Sequence, residues 1–200
     1  MPHDNNLILE DVQFANLKQT AESRSKLVHT FGALAELGHE VASRSNFQDT
    51  IRTSLHLILG SLGIMRGGVA RYSRFEHEFN MLAVRGLGDS FPLSLELCHE
   101  DERQFLINGL APIEIGHAAV LPFFQVYMRT FEATRLELFL PLVVRDETVG
   151  AILLGEKATG EPYSSYDKEI ICAMGRHIGS AIAQRTLMVV SLCAHPPHYC

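Results

Sequence analysis

The sequence has no CxxC pair, no long apolar run and no cluster of lysine and arginine. Each of these gaps removes a class of protein. Its four cysteines, Cys98, Cys172, Cys193 and Cys200, are scattered, which argues against a disulfide framework and for reduced thiols. A zinc site needs four ligands at local spacing. Only Cys193, His195, His198 and Cys200 come near, with prolines beside them and no second ligand pair, so no metal is expected. Crossing a bilayer as a helix takes about 18 consecutive apolar residues. The longest uncharged stretch, 186–200, holds two prolines and two histidines, and the stretches 53–65 and 116–128 stop at 13 residues each. No membrane association is expected. The N-terminus, Met-Pro-His-Asp-Asn-Asn, opens without a basic or apolar leader, so the expected location is cytoplasmic. With 17 Lys+Arg against 23 Asp+Glu the net charge is −6. Without clustered cations neither nucleic acid nor anionic lipid is an expected partner.

What the chain does have is enough apolar material for one core. A hydrophobic content of 46% against 20% charged residues over 200 positions excludes bulk disorder and suits a single globular domain. Residues 1–25 are polar and mixed and read as an extension. From Leu27 an apolar stripe recurs every three or four residues through Phe31, Leu34, Leu37 and Val41, the spacing of a helix with one buried face. A second helix, with Ser45 as a plausible N-cap, buries Phe47, Ile51, Leu55, Ile58, Leu59 and Leu62.

After Gly63 the pattern changes to strands. Residues 69–72 and 79–84 read as two strands joined by a charged turn, with Gly86 and Gly88 breaking the second. A short helix is expected over 101–108 and a short strand over 112–115. The aromatic stretch 118–131 predicts a helix interrupted near Pro122. Residues 136–144 and 149–155 then form an antiparallel hairpin around a four-residue turn, Arg145-Asp146-Glu147-Thr148. Ser164 with Asp167 resembles a capping box opening a final helix through Ile171, Met174, Ile178, Ala181, Ile182 and Met188. Pro196 and Pro197 stop anything helical beyond it, and residues 189–200 read as a tail unlike a relay helix. Antiparallel strands flanked by helices make an α+β sandwich.

Leu140-Pro141-Leu142-Val143-Val144, the turn 145–148 and Val149-Gly150-Ala151-Ile152-Leu153 resemble the closing hairpin of a GAF domain. In that family a Pro-Leu strand, a polar turn and a glycine-bearing strand precede Gly-x-Pro-(Tyr/Phe)-(Ser/Thr) and a long helix. Here Gly160-Glu161-Pro162-Tyr163-Ser164 stands in that place, and the resemblance runs from Leu27 to Leu187. It implies a sensory domain over 26–188 with a central six-stranded antiparallel sheet between helices, the terminal helices packed on one face. It also implies a non-catalytic regulatory role in signal transduction, with a small ligand held between sheet and roof. On this sequence the ligand residues would be Phe105, His117, Phe124, Tyr127, Met128 and Phe131, unless these side chains simply fill the core. The terminal helices imply a homodimer through Leu27, Phe31, Leu34, Ile171, Ile178 and Ile182. An output domain is implied too, and none of the segments above resembles one.

The specific chemistries of the family fit poorly, and no particular cofactor is specified. Methionine sulfoxide reduction needs a thiolate and a resolving thiol, and Cys98 has no partner cysteine nearby in sequence. Cys172, on the final helix, reads as a structural thiol. Cys98-His99 matches a bilin-attachment dipeptide, but it precedes the third helix, far from the family's attachment point. His117 is the lone candidate for haem or iron, and one histidine is no ligand cluster. The cyclic-nucleotide signature cannot be placed, and Arg85, Gly86 and Gly88 are more simply turn residues. There is no HExxH and no nucleophile set beside a base, so catalytic residues are not expected. Two alternatives to a ligand sensor remain: a purely structural dimerisation module with a filled cavity, and a haem, iron or bilin sensor.

Overall fold

The computed structural model describes residues 47–97, 103, 105, 111–117 and 121–194. All of them belong to one compact unit, Val41–Cys200. The expected first helix with Leu27, Phe31 and Leu34, the N-cap Ser45, the Cys98-His99 pair and the end of the tail lie outside the described residues.

The elements in chain order are α1 (Phe47–Leu62), β1 (Gly67–Ser73), β2 (Glu78–Arg85), β3 (Ser94–Glu96), β4 (Ile113–Glu114), a 3-10 turn (Ile115–His117), α2 (Pro122–Ala133), β5 (Leu136–Val144), β6 (Glu147–Gly155) and α3 (Ser165–Ala194). Arg103 and Phe105 are helical, within the expected 101–108 helix. The six strands form one antiparallel sheet in the order β3-β2-β1-β6-β5-β4. The pairing of β1 with β6 puts the first strand and the last side by side in the middle of the sheet. This is the α+β arrangement expected from the sequence.

Local chemistry explains the element ends. α1 stops where Gly63 takes φ +64° and the Ile64 amide returns to the Leu59 carbonyl at 2.8 Å, the closure typical of a helix ending on glycine. Pro122 does not interrupt a helix: it is the first residue of α2. There its missing N–H costs nothing and its fixed φ suits the helix. The β5–β6 turn is also tighter than expected. Glu147 and Thr148 pair with Val144 and Val143, leaving only Arg145 and Asp146 in the turn, at φ +51° and +62°. Two consecutive positive φ values make the hairpin turn that matches strand twist, and side-chain polarity alone did not reveal it.

The sheet is covered on both faces. On one, α1 packs on β1 and β2, α3 packs on β5 and β6, and the two helices touch. α3 comes close because Gly175 and Gly179 face the sheet: a Cβ on Gly175 would lie 2.5 Å from Leu140 Cδ2, and one on Gly179 would lie 3.3 Å from Val144 Cγ2. Ile171, Ile178 and Ile182 of α3 are at most 3% exposed. All three are buried within their own chain, where α3 packs on β5, β6 and α1, so they do not present the exposed face expected of dimer contacts. The helix also continues to Ala194, six residues beyond Met188, so part of the expected tail is helical. Among the described residues no helix is long and apolar enough to cross a membrane.

Candidate functional site

The other face of the sheet is where the sequence placed a ligand. The sheet contributes Tyr72, Phe79, Leu95, Phe139, Ala151 and Leu153 to one buried cluster. α2 lies over it and contributes Phe123, Phe124 and Phe131, which together with Tyr127 and Met128 fall on one face of a helix. Phe105 enters the same layer. Six phenylalanines (79, 105, 123, 124, 131 and 139) are each at most 2% exposed. Phe139 is the hub. Its ring centre lies 5.0 Å from Phe105 in a stacked pair, 5.4 Å from Phe123 and Phe124, and 5.8 Å from Phe79. Such separations are the contact range of aromatic pairs.

The structure therefore brings five of the six expected ligand residues together. Phe105, Phe124 and Phe131 are closed in contact with other rings and present no surface to a ligand. Tyr127 and Met128 are half-buried at the edge of the cluster. The Tyr127 hydroxyl does not point to a ligand: it accepts a hydrogen bond from the Glu96 amide at 2.7 Å, linking α2 to β3. Burial raises the Tyr127 pKa, with the Glu96 and Glu78 charges adding to it, so the hydroxyl stays protonated at neutral pH.

His117 is not part of this layer. It sits in the exposed 3-10 turn with Nδ1 2.6 Å from Glu114 Oε2. Among the described residues no three His, Cys, Asp or Glu side chains converge on a metal position. Cys172 is half-buried on α3 and burial pushes its thiol pKa up, the opposite of an activated thiolate.

Polar organisation concentrates at the start of α3. The Ser164 amide donates to Asp167 Oδ2 at 2.8 Å and the Asp167 amide donates to Ser164 Oγ at 3.1 Å, the reciprocal box that the Ser-x-x-Asp spacing predicts. Lys157 Nζ lies 2.9 Å from the same Asp167 oxygen, both side chains being under 15% exposed. Burial alone would raise the Asp167 carboxyl. The bonds from Lys157 and Ser164 outweigh it and hold the carboxyl below its usual range. A folded-state pKa below the unfolded one contributes stability that is complete above about pH 5 and is lost as pH falls through the unfolded and then the folded value. We expect acid titration of unfolding to show this loss, and Asp167→Asn to lose less stability than wild type between about pH 5 and pH 2. Parallel acid profiles for the two proteins would show that Asp167 makes no such contribution.

Sequence reading missed two kinds of residue here. Phe79 and Phe139 come from strands and read only as strand apolar positions. The pair Lys157–Asp167 spans ten residues, and a second pair, Lys168 Nζ with Glu114 Oε1 at 2.6 Å, spans 54; neither leaves a local pattern. A signal did exist for the close approach of α3, since Gly175 and Gly179 stand four apart within its apolar stripe.

No family model matches the sequence. Solved structures do match the fold. The GAF domain of a phosphoenolpyruvate-protein phosphotransferase from Coxiella burnetii is 14% identical and superposes with a TM-score of 0.60, over 82% of this chain and 96% of that one. A methyl-accepting chemotaxis protein segment is 15% identical with a TM-score of 0.57, over 76% of this chain and 97% of that one. The GAF domain/HD domain protein from Geobacter sulfurreducens is 19% identical with a TM-score of 0.55, over 73% and 97%. The fold of this chain is the GAF fold.

Proposed function

We propose that this chain is a non-catalytic regulatory module of a signalling protein, which acts through α3 and a second copy of itself. The similar folds in a chemotaxis protein, a putative sensor histidine kinase and a phosphotransferase support a signalling setting. The closed layer of six phenylalanines carries the choice among GAF roles. It favours a module whose ligand space is filled by its own side chains over one that holds a small molecule. α3 supports the relay: its 30 residues span about 45 Å, its packing on the sheet reaches Ile182, and Leu187 beyond is 62% exposed. A helix that runs on past its packing with an exposed leucine suits pairing with a second copy across a two-fold axis.

Sedimentation at micromolar concentration tests the pairing. We expect a species of about twice 22.3 kDa, shifted toward monomer by Leu187→Glu, which places a charge in the paired surface. A monomer in the unmodified protein would refute the dimer. Native mass spectrometry of the same sample tests the filled layer, because a co-purifying small molecule would restore the ligand-sensing role.

A further inference from the structure

We infer that Glu114 is a coupling residue, which joins the aromatic layer on one face of the sheet to the first turn of α3 on the other. The meaning given to α3 rests on the relay proposed above, but the contact itself does not.

β4 is the edge strand of the sheet, two residues long, with Glu114 opposite Leu138 of β5. The residues flanking Glu114 face the aromatic layer: Ile115 is 2% exposed within the cluster, and Ile113 packs against it. Glu114 itself turns the other way round the sheet edge. Its Oε1 accepts a hydrogen bond of 2.6 Å from Lys168 Nζ, in the first turn of α3. Its Oε2 meets His117 Nδ1 at 2.6 Å, at the end of the 3-10 turn that leads toward α2. Both carboxylate oxygens are thus engaged, one with α3 and one within the segment that Glu114 shares with Ile115. The bond from Lys168, followed by the Lys168 charge, holds the Glu114 carboxyl below its ordinary range although burial opposes this, and His117 adds to the lowering.

The far end of the contact is well placed to transmit a displacement. Lys168 follows Asp167, which carries both the capping box and the Lys157 pair. A shift of Lys168 therefore acts on the turn that sets how α3 leaves the sheet. Two segments that share such a node must influence each other reciprocally, because coupling between two sites is one free energy seen from either end.

Hydrogen exchange on the full chain measures this. Lys168→Met, made in α3, should raise exchange of the amides in 113–117 about fivefold, the low end of coupling between sites. Glu114→Gln should do the same to amides in 165–171. Lys157→Met loosens the same turn of α3 from its Asp167 side and leaves the Lys168–Glu114 bond in place, so it should raise exchange in 113–117 by less than Lys168→Met does. If Glu114→Gln does not fold, Glu114→Asp shortens the reach by one methylene and gives the same comparison. Unchanged exchange in β1 and β6 verifies the fold of each variant. Changes confined to the element that carries each substitution would overturn the coupling. Because exchange reads one chain and sedimentation reads two, failure of the coupling and failure of the dimeric relay are separable.

Discussion

Gly150→Val is expected to unfold at a lower denaturant concentration, with a loss of about 3 kcal/mol, the upper part of the range for overpacking a tight core. Gly150 lies on β6 between β1 and β5, opposite Arg71 and Leu142. A Cβ there would collide with the carbonyl oxygen of Ala70 and sit 3.2 Å from Ile182 Cδ1 on α3. The first obstacle is backbone in the central strand pair, which cannot rotate away as a side chain can. The second belongs to the helix covering this part of the sheet. For a chain of this size such a loss lowers the melting temperature by roughly 6–12 °C. Equal denaturation midpoints for the two proteins would mean that β1, β6 and α3 do not meet at this point.

Phe139→Ala is expected to cost about 3–5 kcal/mol, the usual range for removing a large buried ring. The ring touches four other phenylalanines, which come from β2, from the segment containing residue 105 and from α2. None of these elements can close the gap without breaking its own contacts. The space left is lined by rings and lacks polar groups, so it should stay dry and accept a small apolar molecule. Benzene should therefore raise the melting temperature of Phe139→Ala and leave that of the unmodified protein unchanged. A benzene shift in the unmodified protein would show that the layer is open, and with it the role proposed here would give way to ligand sensing.

Several elements were legible because their causes are local. The stripe Ile51, Leu55, Ile58, Leu59 marks a helical face, and all four are buried in α1. The apolar runs on either side of residue 145 are strands β5 and β6, since apolar continuity is how a strand buried on both faces reads. Ser164 and Asp167 form the capping box because both partners lie within four residues. Even the resemblance to GAF domains rested on such short-range features, a hairpin followed by Gly-x-Pro-Tyr-Ser and a helix.

The same positions carried no information about who their neighbours would be. Ile171, Ile178 and Ile182 are apolar at helical spacing whether they meet a partner chain or their own sheet, and only the placement of α3 over β5 and β6 decides for the sheet. Phe105, Phe124 and Phe131 are aromatic whether they line a cavity or fill it. What closes the layer is Phe79 and Phe139 arriving from strands 26 residues before and 34 after Phe105. Glu114 and Lys168 stand 54 residues apart, and their pairing depends on an edge strand lying beside the first turn of α3. By itself the sequence determined the kind and order of the elements, because helix, strand and turn follow from periodicity and caps over a few residues. The closed aromatic layer, the sheet-facing isoleucines and the link around the sheet edge were decided by the tertiary structure, because burial is a property of what lies opposite, and that is set by segments far away in the chain.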